Sequence, residues 1–262
     1  NISLYGNTAT ITMYDMLGVN IALSTDWTPS GSMNLLRELR CVDYFNSRHL
    51  NNYLVDWQMW SMVTSNPARG LSVANQTGSL QQGQFADIAI YNGASAPNYY
   101  RAVINAEIKD TVLVLRADLP LFGDKELMDA IPNGQTGCEE IPGGVCSVGK
   151  TACIMREVGV DYKTLAAVNA SSYPLFFCST PDKEPTCMPM RPADKYGCGQ
   201  YPLADPSKDF DGDGVPDSLD NCPTIFNPVR PVDDYSTHQC KQADYNGNGI
   251  GDACDVNPLG KI

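Results

Sequence analysis

Five aspartates near the C-terminus have the spacing of a calcium-binding loop. They occupy positions 1, 3, 5, 9 and 12 of a twelve-residue frame and are Asp209, Asp211, Asp213, Asp217 and Asp220. Gly214 lies at position 6, where such a loop turns sharply, and Val215 at position 7 would offer its backbone carbonyl. Calcium takes roughly six to eight oxygen ligands, and this spacing wraps them around one ion. The pattern therefore predicts a calcium site.

The same frame recurs farther along the chain. Its members are Asp244, Asn246, Asn248, Gly249, Ile250, Asp252 and Asp255. Both frames end on aspartate and lack apolar helical flanks, so we expect EF-like loops without the helix pair. The segment from Asp209 to Asp255 contains ten aspartates, and its only lysine or arginine residues are Arg230 and Lys241. Such a stretch is either a solvated, disordered linker or a segment neutralised by cations, and two complete frames favour cations.

Asp26 is a second candidate for chemistry, within the sequence IALSTDWTPSGSMNLL. The apolar run 19–24 predicts a buried strand that delivers this carboxylate to its carboxyl end, where α/β barrels keep their catalytic groups. A carboxylate beside a divalent metal can take a proton from metal-bound water, and the hydroxide attacks an amide or ester carbonyl. Trp27, Thr28 and Ser30 would lie on the next loop and line the pocket. The alternative is a helix-capping or surface aspartate.

The segments around Asp26 predict an α/β fold. Residues 2–5 and 19–24 have the apolar character of short strands, whereas 9–17 and 34–40 have helical patterns. Further helices are expected over 45–62. These elements are the ones that would position the carboxylate.

The middle of the chain changes to β character. Residues 87–91 predict one strand, and 101–107 and 111–116 predict two paired strands. Residues 118–200 are rich in loops and contain six cysteines, so disulfides are expected to hold them more than a core does. Two helices are expected in that segment, at 125–130 and 162–168.

Cysteine usage and charge restrict the compartment and the partners. Ten cysteines, nine of them at or after Cys138, indicate disulfides and an oxidising compartment, with reduced or zinc-binding thiols as the alternative. The net charge of −12 argues against nucleic acid or an anionic membrane as a main partner. No apolar run reaches the roughly 20 residues that span a bilayer. The chain begins at Asn1 without a methionine, which predicts a processed product or a fragment.

The acidic stretch resembles the thrombospondin type 3 repeat, which occurs in secreted proteins. The resemblance rests on DFDGDGVPDSLDNCPTIFNP and DYNGNGIGDACD, with residues 229–243 inserted between the two halves. It implies that both loops bind calcium and that Cys222 pairs with Cys254. Cys240 lies in the insertion and departs from the pattern, so its partner stays open.

Three earlier motifs, taken in order, resemble the C-terminal part of metal-dependent amidohydrolases of the imidazolonepropionase-like branch. They are IALSTDWTPSGSMNLLRELR, MVTSNPARGL and GSLQQGQFADIAIYNG. The resemblance implies that Asp26 is a metal ligand and general base after barrel strand 8. It also implies that Gly78, Gly83, Ala86 and Asp87 belong to a small β-sandwich. The implied catalytic metal is divalent, zinc first, with iron or manganese as alternatives.

Together these patterns predict an α/β fold that ends in a calcium-loop tail. The last strands and helices of a (β/α)8 barrel, about strands 7 and 8, would occupy residues 1–76, and part of the β-sandwich 77–117. A disulfide-rich segment would follow over 118–200, and the calcium-binding tail over 201–262.

The predicted catalytic site is incomplete within this chain. The amidohydrolases hold their metals mainly with histidines, but the only histidines here, His49 and His238, match no family position. We therefore expect the C-terminal chain of a secreted, periplasmic or cell-surface amidohydrolase that cuts amide or cyclic amide C–N bonds through metal-activated water.

An N-terminal chain of the same precursor would supply the missing strands and histidine ligands for a small or peptide-like substrate, within a complex or a higher oligomer. The alternative is a non-catalytic, calcium-stabilised adhesion or assembly protein on a degenerate amidohydrolase scaffold.

Overall fold

The computed structural model describes residues 1–26, 31–132, 134–172, 174–181, 184–192, 198–231 and 240–260. The chain folds into two compact units. Unit 1 combines Asn1–Val63 with Pro185–Ile262, and unit 2 is Thr64–Glu184. The acidic C-terminal segment therefore shares a unit with the N-terminal helices.

The N-terminal part of unit 1 is helical. Its helices are α1 (Ile2–Tyr5), α2 (Ile11–Met16), α3 (Leu35–His49) and α4 (Asp56–Ser61). Helix α3 begins after Asn34, whose side-chain oxygen accepts a hydrogen bond from the Arg37 backbone N–H at 3.1 Å. This is an N-cap, which satisfies one of the free donors of the first turn. The helix predicted to start in this region is confirmed.

The two barrel strands predicted in residues 1–76 are wrong. Ile2–Tyr5 is a single helical turn, closed by Gly6 at φ +71° with its N–H bonded to the Ile2 carbonyl. Residues 19–24 form no strand, and their side chains are exposed or half-buried instead of being fully buried. A strand needs a neighbour to complete its ladder, and the described residues before Ile88 contain none.

Unit 2 is built on a five-stranded sheet. The strands are β1 (Ile88–Tyr91), β2 (Thr111–Arg116), β3 (Leu119–Asp124), β4 (Glu139–Glu140) and β5 (Lys150–Ala152), in the order β1-β2-β3-β5-β4. Every neighbouring pair is antiparallel. The helices are α5 (Ser65–Gly70), α6 (Tyr99–Ile104), α7 (Lys125–Ala130), α8 (Ile154–Val158) and α9 (Tyr162–Asn169), with a 3-10 turn at Ile108–Asp110. Unit 2 therefore combines helices with an antiparallel sheet, whereas a (β/α)8 barrel has parallel strands.

The predicted strands at 87–91 and 111–116 are confirmed, and so are the helices at 125–130 and 162–168. The strand predicted at 101–107 is wrong, because α6 covers most of it. Asn98 begins this helix by accepting a hydrogen bond from the Arg101 N–H at 2.8 Å, and Ile104 anchors it in the interior. The N-cap at Asn98 favours a helix here, although the β-branched residues of 101–107 favour a strand.

The C-terminal part of unit 1 packs on the N-terminal helices. It contains a 3-10 turn at Pro206–Lys208 and a two-stranded ribbon, β6 (Arg230–Pro231) with β7 (Cys240–Lys241). Its buried core consists of Phe45, Leu50, Tyr201, Cys222, Ile225, Phe226 and Ala253. Because two of these residues come from α3 and its end and the rest from the C-terminal segment, the predicted tail is part of a common core.

Five disulfides use all ten cysteines. Unit 1 holds Cys41–Cys187, Cys198–Cys240 and Cys222–Cys254, and unit 2 holds Cys138–Cys153 and Cys146–Cys178. The pairing of Cys222 with Cys254 is the one that the repeat resemblance implied, and Cys198 is the partner of Cys240. None of the helices in the described part of the chain has the length and hydropathy that crossing a bilayer requires.

Candidate metal centre

Residues 209–220, here called loop 1, are folded around the carboxylate of Asp209. Its Oδ1 accepts hydrogen bonds from the N–H groups of Gly212 at 2.9 Å and Asp213 at 3.2 Å, and its Oδ2 accepts one from Gly214 at 2.9 Å. Gly214 has φ +92°, and a Cβ there would lie 2.4 Å from the Gln200 carbonyl oxygen. Position 6 of the loop therefore requires glycine.

Three carboxylates converge in the interior of loop 1. One oxygen each from Asp209, Asp211 and Asp213 lies within 4.8 Å of the others. Asp211 and Asp213 are each only 1% exposed. The Oδ2 atoms of Asp211 and Asp220 are buried and have no hydrogen-bond partner within the described residues. A buried acceptor without a hydrogen-bond partner costs free energy, so a cation ligand at these two oxygens would be favourable.

The remaining loop 1 positions, Asp217, Asp220 and Val215, make hydrogen bonds within the loop or to residues outside it. Asp217 accepts a hydrogen bond from the Phe210 N–H at 2.9 Å, which closes the loop on itself. Asp220 accepts hydrogen bonds through Oδ1 from the Cys222 N–H and from Gln242 Nε2, both at 2.7 Å. The Val215 N–H donates to Asp213 Oδ1 at 2.8 Å, and the role of its carbonyl as a ligand stays a prediction.

Gln242 is a site residue that the sequence pattern did not indicate. Its Nε2 also donates to Asp213 Oδ2 at 3.1 Å, and its Oε1 accepts from the Asn221 N–H at 3.2 Å. It lies between the two frames, where spacing carries no signal. Its uncharged amide therefore donates hydrogen bonds to two carboxylates, those of Asp213 and Asp220, from outside loop 1.

The electrostatics of loop 1 disfavour several negative charges together. Burial, followed by the neighbouring carboxylate of Asp213, raises the pKa of Asp211 to about 9. Burial, followed by Asp220, raises the pKa of Asp213 to about 7. Burial also raises the pKa of Asp220. A bound cation reverses this effect, because it supplies the positive charge that the buried carboxylates lack.

His49, which matches no position of the amidohydrolase pattern, joins loop 1 to the end of α3. Its Nδ1 donates to the backbone carbonyl of Asp211, with a separation of 2.6 Å. The ring contacts Phe45 and Phe226, with centroid distances of 5.2 and 5.7 Å. Burial is the largest influence on this imidazole and lowers its pKa, which favours the neutral ring. The Phe226 N–H also donates to the His49 carbonyl at 2.8 Å. Loop 1 thus contacts the end of α3 through the His49 side chain, and the segment after loop 1 contacts it through the backbone of Phe226.

Residues 244–255, here called loop 2, repeat the backbone frame of loop 1. Asp244 accepts from the Gly247 N–H at 2.8 Å through Oδ1 and from the Gly249 N–H at 2.9 Å through Oδ2. The Asp252 carboxylate accepts from the Tyr245 N–H at 2.9 Å, as Asp217 does from the N–H of Phe210. Both predicted frames therefore fold into the same kind of loop, and the Ile250 carbonyl stays a predicted ligand.

Asp26 lies apart from any metal-binding cluster in the described residues. It is exposed and has φ +59°, and its N–H donates to Ser24 Oγ at 3.1 Å. Within those residues, the one group of acidic, histidine or cysteine side chains close enough to hold a metal is that of loop 1. The predicted pocket residues Trp27, Thr28 and Ser30 lie outside the described residues, and so does His238. The role of Asp26 as a catalytic base stays a prediction.

The donor atoms of loop 1 fit calcium. They are carboxylate oxygens held by backbone N–H groups, whereas nitrogen and sulfur ligands suit zinc. Searches of curated proteins and of solved structures gave no match to the chain. The model of the thrombospondin type 3 repeat family matches residues 206–230, which span the whole of loop 1. This match supports the predicted calcium-binding repeat over loop 1.

Proposed function

We propose that the protein is a calcium-stabilised extracellular protein in which loop 1 holds the ion that keeps unit 1 folded. The observation that carries the proposal is the pair of buried carboxylate oxygens without partners, on Asp211 and Asp220. A cation between the loop 1 carboxylates would satisfy both oxygens and remove the repulsion among the charges.

The ion would act on more than the loop. Asp211 is held against His49, and Asp213 Oδ2 accepts from the Asn227 N–H at 3.2 Å, next to the core residue Phe226. Ordering these carboxylates therefore supports the contact between the C-terminal segment and α3. Five disulfides and a thrombospondin type 3 repeat are typical of proteins in an oxidising, secreted or cell-surface environment. We infer that calcium makes unit 1 a rigid scaffold for adhesion or assembly.

Direct calcium titration tests the proposal. Isothermal titration calorimetry of the calcium-depleted wild-type chain should show saturable calcium binding. Titration with magnesium should not reproduce it. Asp211→Asn should weaken the affinity by at least about 10-fold, because it removes one ligand and one charge. Asp118→Asn, a charge change on the exposed β2–β3 turn of unit 2, is the matched control. Equal affinities in Asp211→Asn and wild type would contradict loop 1 as the site.

The amidohydrolase activity is a second, separate proposal that is supported by the order of the three sequence motifs. It requires the predicted N-terminal partner chain and a catalytic metal. Its test is purification with that partner, followed by metal analysis and amide hydrolysis by wild type and Asp26→Asn. Unchanged turnover in Asp26→Asn would refute the role of Asp26, without affecting the calcium proposal.

A further inference from the structure

The two loops differ at position 3 of the frame, which is Asp211 in loop 1 and Asn246 in loop 2. In loop 1, Asp211 Oδ1 accepts from the Asp213 N–H at 3.1 Å, and Oδ2 is left without a partner. In loop 2, Asn246 Oδ1 accepts from the Asn248 N–H at 3.0 Å, but the second terminal atom is Nδ2. That nitrogen is a hydrogen-bond donor and cannot ligate a cation.

The asparagine amides of loop 2 close it from within. Asn246 Nδ2 donates to Asp255 Oδ2 at 2.8 Å, and Asn248 Nδ2 donates to the same oxygen at 3.0 Å. Asn248 Oδ1 meanwhile accepts from the Ile250 N–H at 2.8 Å. The oxygen of Asp255 that corresponds to the unpartnered oxygen of Asp220 therefore has two donors. In loop 2 the amide hydrogens satisfy this oxygen of Asp255, whereas in loop 1 a bound cation would satisfy the oxygen of Asp220.

The charge of the two frames differs in the same direction. Loop 1 presents five carboxylates, whereas loop 2 presents only Asp244, Asp252 and Asp255. Calcium affinity in such loops rises with the number of charged ligands. An ion entering loop 2 would also have to turn both amides, which breaks their hydrogen bonds to Asp255.

We propose that the loops are a calcium-dependent and a calcium-independent half of one module, an inference that rests on the proposed function of loop 1. Loop 2 folds on its own amides and takes calcium only at much higher concentration. Loop 2 holds the residues directly after loop 1 in place before calcium binds, through the Cys222–Cys254 disulfide and through the Gly251 N–H, which donates to the Asn221 carbonyl at 3.0 Å.

Calcium titration of the full chain tests the asymmetry. Wild type should show one tight site, with any second site at least about 10-fold weaker. The double variant Asn246→Asp/Asn248→Asp should tighten this second site by at least about 10-fold, since it gives loop 2 the carboxylates of loop 1. Asn51→Asp/Asn52→Asp, which adds the same charge on exposed residues after α3, should leave the titration unchanged.

Hydrogen exchange of the wild type provides a test that needs no variant. In chelator, the backbone N–H groups of Asn248, Gly249 and Ile250 should exchange at least about 10-fold more slowly than those of loop 1. Two equal tight sites, or equal exchange in the two loops, would overturn this inference and leave the proposed function intact. Absence of any saturable calcium binding would refute the proposed function itself.

Discussion

The residue that decides the behaviour of loop 1 is Asp211. It is almost completely buried, it contacts His49 through its backbone, and one of its oxygens has no partner among the described residues. The spacing of the aspartates predicted this residue as a ligand. Its depth of burial could not be predicted, because that depends on α3, which is far away in the sequence.

Lower pH should stabilise the calcium-free protein. The pKa of Asp211 is raised to about 9 and that of Asp213 to about 7, whereas an unfolded aspartate titrates near pH 3.9. Between these values the folded state binds more protons than the unfolded state, so the free energy of unfolding falls as pH rises. Urea unfolding in chelator should therefore show a higher midpoint at pH 5.5 than at pH 8.5.

Two comparisons make the cause of this pH dependence specific. Asp211→Asn should reduce the difference between the two midpoints, because it removes the group with the largest shift. Saturating calcium should abolish or reverse the difference, since the ion binds the ionised carboxylates. An apo protein that is more stable at pH 8.5 would contradict the electrostatic description of loop 1.

At the scale of elements, the link between α3 and loop 1 organises unit 1. Helix α3 was predictable, since Asn34 caps it and Leu39 lies on its buried face. Residues 2–5 and 19–24 were not, because short apolar segments suit either a strand or a helix until their neighbours are known. The strand predicted at 101–107 failed for a local reason, the cap at Asn98. The calcium frames succeeded because their geometry is set by contacts within twelve residues.

Removal of the His49 side chain should uncouple loop 1 from α3. His49→Ala removes a hydrogen bond to the Asp211 carbonyl and the ring contacts with Phe45 and Phe226. We expect a loss of roughly 2 to 4 kcal/mol in unfolding free energy and weaker calcium binding. His49→Asn keeps a donor near the Nδ1 position and should retain more of the affinity than His49→Ala. Identical calcium affinities in both variants and wild type would exclude the coupling.

At the scale of the whole molecule, the predicted tail is part of the unit that contains the N-terminus. The sequence indicated a calcium repeat and disulfides, but not that Asn1–Val63 and Pro185–Ile262 share one core. Such long-range packing leaves no periodic signal in either segment. The Cys41–Cys187 disulfide joins the two segments, and Cys222, which is bonded to Cys254, is one of the buried residues of their common core.

Loss of the Cys222–Cys254 disulfide should weaken both stability and calcium binding. Cys222→Ser/Cys254→Ser opens a link that spans 32 residues, and a cross-link of this length contributes about 3 to 4 kcal/mol by restricting the unfolded chain. The matched control is Cys138→Ser/Cys153→Ser in unit 2, which should lower stability without changing the calcium affinity. Equal calcium affinities in the two double variants would show that this disulfide does not support loop 1.

Hydrogen exchange of the wild-type chain with and without calcium tests the central claim most directly. At a calcium concentration of about 1,000 times Kd, binding adds about 4 kcal/mol to the stability of the folded state. We predict that loop 1 and the C-terminal half of α3 gain protection together, whereas β2 and β3 of unit 2 change little. Unchanged exchange in loop 1 and α3 on calcium addition would contradict the account.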